Sequence, residues 1–365
     1  MTNLFFKLLQ VALGTREEFS RVPNAQEWEK LYEEAENQAI VGILLTGLER
    51  LPAEMLPPLE LKLQWIGEVQ IIQHENKMKD KAVVNLCRKM EETGIRVFVF
   101  KGQTLAAIYP DSSLRQSGDI DFFVHPDDWE KASKWAAEFS GEDIKNTNSL
   151  KHVEWNKEEV QYEMHNLLAT FTSPRHRKYW KKVEKELWQT SWTVNIEGYD
   201  VPTLSPVYNI LYVFVHLFQH FIKDGIGLRQ IVDWYMLLTI YRLEANDVEL
   251  LECHLNGLGL RKAFIGFGAI LTDYLELEPE SFPFAISAEE HKEAPLLIEN
   301  ILELGNFGQN HTYSQERGVI HGLEHIVFVA GQVWRFGHYA PSEMAWKIPD
   351  MFRWWTIKLW RMMRR

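Results

Sequence analysis

The hydrophobic periodicity of this 365-residue chain changes twice, and these two changes constrain its fold most strongly. Before Gly94, apolar residues recur every three or four positions, which is typical of amphipathic helices. After it come short runs rich in β-branched and aromatic residues, which are typical of strands. The helical period returns at Ser205-Pro206, a typical helix start. The pattern predicts an α+β fold in three regions: helices at 1–93, an α/β core with a small mixed sheet at 94–200, and a helical domain at 201–365.

Within the middle region, strands are predicted at 95–100 and 119–124. A glycine turn and a short helix follow the first of these strands, and a longer helix that Gly141 ends follows the second. Two further strands are expected to form a hairpin around residues 156–158. The segment SWTVNI at 191–196 is expected to complete the same sheet.

Charge and cysteine content limit the function classes. A formal net charge of −12 and a pI of about 5.6 argue against general nucleic-acid binding, which needs a basic surface. The only cysteines, Cys87 and Cys253, lack metal-like spacing, which fits a reducing compartment. No signal peptide or apolar run of about 18 residues is evident, so we expect a cytoplasmic protein without a transmembrane segment.

The last twenty residues, WKIPDMFRWWTIKLWRMMRR, carry six basic side chains and one acidic side chain. Two interpretations stay open for this tail. It is either a final packed helix with solvated arginines or a basic amphipathic helix that lies on a membrane surface.

Two aspartates, Asp119 and Asp121, lie at the start of the second predicted strand. Aspartate is a poor strand former, and successive side chains alternate between the faces of a strand. Both carboxylates therefore point to the same side, with their Cα atoms about 6.5–7 Å apart, and repel each other. A shared divalent cation relieves that repulsion, and oxygen ligands of this type favour Mg²⁺ or Mn²⁺.

Neighbouring residues supply what a metal-bound nucleotide needs. Glu163 shares a strand face with His165 and would lie beside the aspartates if the two strands pair. Gly118 allows a close backbone approach. The turn at Lys101-Gly102 leads into a helix whose N-terminus can receive phosphate groups. Positive charge there is expected from the side chains of Lys101 and Arg115.

His216 and His220 lie four residues apart on one helix face, a spacing that can also hold a metal. The intervening Leu-Phe-Gln lacks the glutamate of a zinc-protease motif. We interpret the pair as a packing feature or as part of a possible substrate cleft that also contains His165, Arg229 and Asp233.

The order of these elements resembles the nucleotidyltransferase superfamily related to DNA polymerase beta, most closely its uncharacterised bacterial branch, nucleotidyltransferase family 5. The resemblance covers roughly residues 95 to 240. It is carried by four segments: FKGQTLAAIYPDSSLRQSGDIDFFVHPDDWEKA, YEMH, HLFQH and LRQIVDW.

The resemblance implies that Asp119, Asp121 and Glu163 are the catalytic, metal-binding carboxylates. It also implies a nucleotide-phosphate side formed by Lys101, Gly102, Gln103, Arg115 and Gly118. Where the superfamily has Gly-Ser after the first strand, this chain has Lys101-Gly102-Gln103.

Three functions are compatible with these residues. The first is a metal-dependent transferase that moves a nucleoside monophosphate from an NTP to an unknown acceptor hydroxyl or phosphate, with Mg²⁺ or Mn²⁺ as cofactor. The second is a toxin-like modifier of tRNA or protein. The third is a catalytically silent nucleotide-binding or scaffold protein, which the missing serine favours.

Overall fold

The structure is a computed structural model that describes residues 2–17, 19, 21–141, 152–310 and 319–363. It confirms the predicted α+β class. The helices are α1 Thr2–Leu13, α2 Ala25–Asn37, α3 Val41–Arg50, α4 Leu59–Thr93, α5 Gly102–Ala106, α6 Trp129–Ser140, α7 Pro174–Leu187, α8 Pro206–Lys223, α9 Leu228–Ile240, α10 Ala245–Leu258, α11 Arg261–Leu275, α12 Ala288–Leu304, α13 Val319–Phe336 and α14 Pro341–Met363. The strands are β1 Val97–Val99, β2 Ile120–Val124, β3 His152–Lys157, β4 Val160–His165, β5 Trp192–Ile196 and β6 Tyr199–Thr203.

The main sheet has four strands in the order β1-β2-β4-β3. β1 is antiparallel to β2, β3 is antiparallel to β4, and the central pair β2 and β4 runs parallel. A parallel pair needs a long crossover, and here the crossover contains α6. The predicted hairpin of β3 and β4 is confirmed, with its turn at Glu158 and Glu159, which both adopt positive φ angles.

The expectation that residues 191–196 complete the main sheet is wrong. β5 pairs with β6 in a separate two-stranded sheet. The turn at Glu197-Gly198 has φ angles of 50° and 76° and folds the chain directly back on itself. The next segment in the sequence therefore takes the edge of β5 before a more distant strand can pair with it.

Alternation along the strands gives the main sheet two apolar faces. One face, with Val97, Phe122 and Val124, packs in a cluster that also contains residues of α6 and the second half of α4. The other face contributes Phe98 and Phe123 to a larger cluster shared by the N-terminal and C-terminal helices. The sheet is thus held between two cores, and the division into three regions stays a prediction.

Among the described residues, none of the helices combines the length and the apolar character needed to cross a bilayer. The predicted cytoplasmic location stays a prediction. Cys87 is buried, Cys253 is exposed, and both are free thiols. The basic tail begins within α14, but the side chains beyond 356 are outside the described part of the chain, so its two interpretations stay open.

Candidate active site

The pairing of β2 with β4 brings three carboxylates together. Asp119 directly precedes β2, and Asp121 lies opposite Glu163 in the parallel register. One oxygen of each of the three side chains lies within 4.8 Å of the others. The predicted proximity of Glu163 to the aspartates is therefore confirmed, and its cause is the strand register.

Lys101 lies two residues after the end of β1 and provides a positive charge beside these carboxylates. Its Nζ is 3.4 Å from both carboxylate oxygens of Asp121. The residue has a φ of 56°, a conformation that costs energy for a side chain other than glycine. Burial lowers the pKa of Lys101, but the charges of Asp121 and Asp119 raise the pKa by more, so the ammonium stays protonated.

The three carboxyl groups differ in acidity. Burial raises the pKa of Asp121, but Lys101 and His165 lower it by more, to about 2. Burial and then the charge of Asp121 raise the pKa of Asp119 and bring the pKa of Glu163 to about 8. Without an additional cation, Glu163 therefore retains a proton near neutral pH, and this negative cluster has capacity for a further positive charge.

Two histidines adjoin the carboxylates on the sheet. His165 Nε2 is 2.8 Å from Asp121 Oδ1 and 3.2 Å from Glu163 Oε1, and the ring is buried. His152 Nδ1 is 2.9 Å from the same Glu163 oxygen. His165 therefore supports Asp121 from within the sheet and does not line the cavity described next.

A cavity of about 240 Å³ opens in front of the carboxylates. It brings together most of the residues predicted from the sequence. Its lining comprises Lys101, Gly102, Leu105, Arg115, Gly118, Asp119, Asp121, Glu163, Val213, His216, His220, Arg229, Gln230, Asp233 and Phe307.

Arg115 is engaged by protein groups. Its guanidinium donates from Nε and Nη2 to the two oxygens of Asp233, at 2.6 and 2.7 Å. Nη1 donates to Gly102 O at 3.1 Å and to Ser117 Oγ at 2.9 Å, and both charged side chains are buried. This geometry links the α/β core to α9 and does not favour the predicted phosphate contact by Arg115.

Arg229 lies one helical turn before Asp233 and is a second cation at the cavity. Nη1 donates to Gln116 O at 2.7 Å. Burial and the nearby Arg115 lower the pKa of Arg229. Because its guanidinium is only partly engaged, Arg229 is the arginine better placed to receive an anionic substrate group.

The segment after β1 departs from its predicted role at one position. The side chain of Gln103 is buried and donates to Asp80 Oδ1 at 2.6 Å, so it points away from the cavity. At Gly102, φ is 39° and an added Cβ would lie 3.3 Å from Asp119 O, which explains the glycine. Gly118 has open space around it, which leaves the aspartates accessible.

The histidines of α8 form the opposite wall. His216 and His220 have ring centroids 4.4 Å apart, and His220 Nδ1 is 3.0 Å from Asp224 Oδ2. Phe307 lies edge-on to His220, with centroids 5.2 Å apart, and is 44% exposed. The predicted substrate-cleft position of this histidine pair is compatible with the cavity, and Phe307 is an addition that the sequence did not suggest.

The comparisons with known proteins agree with this geometry. The sequence matches the model of a family described as "Uncharacterised nucleotidyltransferase" over residues 24–275, more than half of the chain. The chain belongs to this nucleotidyltransferase family. No curated protein sequence matches it. Among solved structures, it is similar to an antigenic nucleotidyltransferase-like protein from Paracoccidioides brasiliensis, with 14% identity, 55% of this chain and 92% of the other covered, and a TM-score of 0.35. A likeness at that level carries no argument about this site.

The match to the nucleotidyltransferase family includes every site residue predicted from the sequence. Phe307 and the helices α12, α13 and α14 lie beyond the matched residues. The three carboxylates lie within the matched residues, whereas Phe307, which also lines the cavity, lies outside them.

The donor set of this nucleotidyltransferase fits a hard divalent cation. Asp119, Asp121 and Glu163 present converging carboxylate oxygens at an accessible cavity. Mg²⁺ and Mn²⁺ prefer such ligands and complete their coordination with water and substrate phosphates. The residues therefore match the cation that nucleotidyl transfer generally uses.

Proposed function

We propose that this protein is a metal-dependent nucleotidyltransferase that moves a nucleoside monophosphate from an NTP to an acceptor hydroxyl or phosphate. The observation that carries the proposal is the convergence of Asp119, Asp121 and Glu163 at one cavity, beside the partly buried cation of Lys101. A sheet with a purely structural role has no need of three adjacent carboxylates at its central strands, because their repulsion destabilises it.

The three carboxylates would hold Mg²⁺ or Mn²⁺. When bound, such an ion supplies charge stabilisation to phosphate oxygens and screens the carboxylates from one another. The chain itself offers two further cations at the cavity, Lys101 and Arg229, which would bind and orient the polyphosphate.

In the proposed reaction, the acceptor oxygen forms a bond to the α-phosphorus and the bond from that phosphorus to the bridging oxygen breaks. Pyrophosphate leaves, and the acceptor proton passes to a carboxylate. Glu163 is our candidate for this base, because it lines the cavity beside both aspartates and is deprotonated when a bound cation offsets their charge.

The proposal is tested by pyrophosphate release from each of the four NTPs with Mg²⁺ or Mn²⁺, together with a screen for self-modification. Asp119→Asn keeps the size of the side chain and removes one ligand charge, so metal-dependent turnover should be lost. Asp200→Asn, at an exposed strand position far from the cavity residues in sequence, is the matched control and should retain turnover. Turnover retained in Asp119→Asn contradicts the assignment.

A catalytically silent binding module is the second candidate. It is favoured by the orientation of Gln103, whose side chain does not replace the phosphate contact of the family serine. This candidate predicts no metal-dependent NTP binding in calorimetry, so saturable binding that requires Mg²⁺ argues against it. Once the NTP has been identified, the acceptor is sought by screening libraries of candidate acceptors. These include tRNA and protein, the acceptors of a toxin-like modifier.

A further inference from the structure

A second cluster of possible metal ligands adjoins the three carboxylates. It consists of His152, Glu163 and His165, and one ligand atom from each lies within 4.8 Å of the others. His152 and His165 are direct partners across the β3–β4 hairpin, with ring centroids 5.5 Å apart. Glu163 belongs to both clusters, so its carboxylate lies between two groups of ligands.

Each ring nitrogen of His152 lies within hydrogen-bonding distance of a carboxyl group. Its Nε2 is 2.7 Å from Glu154 Oε1, and its Nδ1 is 2.9 Å from Glu163 Oε1. A neutral imidazole carries one N–H, so it can donate to only one of these carboxylates. The other nitrogen presents a lone pair, which can accept the proton of Glu163 or bind a metal ion.

The surroundings of His152 match those of a metal-binding histidine. Such a histidine binds the ion through one nitrogen and donates its other N–H to a carboxylate, which fixes the ring and its tautomer. Glu154 occupies the position of that outer carboxylate. The separations of 2.9 and 3.2 Å from the two histidine nitrogens to Glu163 Oε1 correspond to angles of roughly 87–99° between ligands on an ion with bonds of about 2.1 Å, and a small opening of the cluster would reach tetrahedral angles.

We propose that His152, Glu163 and His165 form a binding site for a divalent transition-metal ion of the Zn²⁺ class, next to the three-carboxylate group and sharing Glu163 with it. To bind the ion, Nε2 of His165 would give up its 2.8 Å hydrogen bond to Asp121. Imidazole nitrogen is a ligand that Zn²⁺ and Co²⁺ favour, whereas Mg²⁺ favours oxygen. The ion can enter from the cavity that Glu163 lines, and the His152 side chain is 24% exposed. This inference does not depend on the proposed transfer reaction.

The test is calorimetric titration of Zn²⁺ into the full chain, stripped of metals with a chelator and kept in excess Mg²⁺. Co²⁺ absorption in the visible range serves as a second readout, because bound imidazole changes the spectrum. We expect one Zn²⁺ per chain with Mg²⁺ present. Glu154→Gln should weaken Zn²⁺ binding about 10–100-fold, and His152→Gln should weaken it further.

Two controls separate this site from its surroundings. His74→Gln changes an exposed histidine on α4 and should leave Zn²⁺ binding unchanged. Asp119→Asn should retain Zn²⁺ binding while it loses Mg²⁺-dependent NTP binding, so failure of this inference and failure of the proposed function give different results.

The inference is overturned if the wild type binds no Zn²⁺ in excess Mg²⁺, or if His152→Gln binds Zn²⁺ as the wild type does. Loss of Zn²⁺ binding in Asp119→Asn also overturns it, because the ion would then lie among the three carboxylates. Glu154 is half exposed, so its variant keeps the test valid if His152→Gln does not fold.

Discussion

Asp233→Asn should destabilise the protein strongly, because Asp233 neutralises a buried arginine. The two side chains of the Arg115–Asp233 pair are only 4% and 5% exposed and share two hydrogen bonds. Asparagine keeps one acceptor oxygen but places an NH₂ group opposite Nη2, so a donor faces a donor and the cation loses its counter-charge. Breaking one partner of a buried pair costs roughly 3–5 kcal/mol in the free energy of unfolding.

This cost is measured by urea unfolding, monitored by both far-UV circular dichroism and tryptophan fluorescence. If the two signals change together, the transition can be treated as two-state and yields the free energy of unfolding. Arg115→Met should also destabilise, because it leaves Asp233 charged and buried. The double variant should cost clearly less than the sum of the two single variants, since no buried charge is then left unpaired.

The matched control is Glu130→Gln, which breaks an ion pair with Lys134 on the surface of α6. Those side chains are 87% and 70% exposed, so the expected cost is below about 0.5 kcal/mol. If Asp233→Asn costs no more than this control and shows no coupling to Arg115→Met, the pair is not a buried link. Arg115 would then be available for the phosphate contact predicted from the sequence.

Three further predictions concern other parts of the molecule. Burial raises the pKa of Glu184 to about 7, so its contribution to stability is complete below about pH 4.5 and is lost as the pH rises through 7. Glu184→Gln should remove roughly 3 kcal/mol of that pH dependence, measured by urea unfolding between pH 4.5 and 8. Gly42→Ala should destabilise the protein by several kcal/mol, since an added Cβ would lie 2.2 Å from the carbonyl oxygen of Leu114. Gly67→Ala, where an added Cβ would meet no atom within 4 Å, should stabilise α4 by about 0.5–1 kcal/mol in the same assay. Phe307→Ala should raise the KM of a substrate with a flat ring several-fold, with little change in kcat, because Phe307 offers the cavity an exposed aromatic ring beside His220 and no group that can take part in the reaction.

Each of these predictions has a result that contradicts it. A Glu184→Gln profile parallel to that of the wild type would mean that the carboxyl group titrates normally. Equal stability of the two glycine variants would mean that α3 at Gly42 is not in close contact with the backbone at Leu114. A large loss of kcat in Phe307→Ala, with KM unchanged, would place the ring in the chemistry of the reaction instead of at the mouth.

Local signals predicted the elements of this fold well. Gly94 and Gly141 end α4 and α6 in the left-handed conformation, and Ser205-Pro206 starts α8, as the sequence indicates. The prediction that β5 joins the main sheet was wrong, also for a local reason. The turn at Glu197-Gly198 brings β6 back beside β5, so β5 pairs with β6 and not with the main sheet.

The part of the site that consists of residues close together in the sequence could be predicted. Asp119 and Asp121 can be recognised without a structure, since strand alternation places them on one side. His152 was missed, although the patterns His-Val-Glu and Glu-Met-His on the two arms of a hairpin carry a signal for it. That signal becomes specific only with the register that sets His152 opposite His165.

By itself, then, the sequence determined the α+β class, the helix ends and the paired aspartates, because each depends on residues within a few positions of one another. Tertiary structure decided the rest. It turned Gln103 away from the cavity, brought Phe307 to its mouth, and joined Arg115 to Asp233 across 118 positions of the chain. Contacts between residues so distant in sequence depend on how whole elements pack, and no local preference of the chain encodes them.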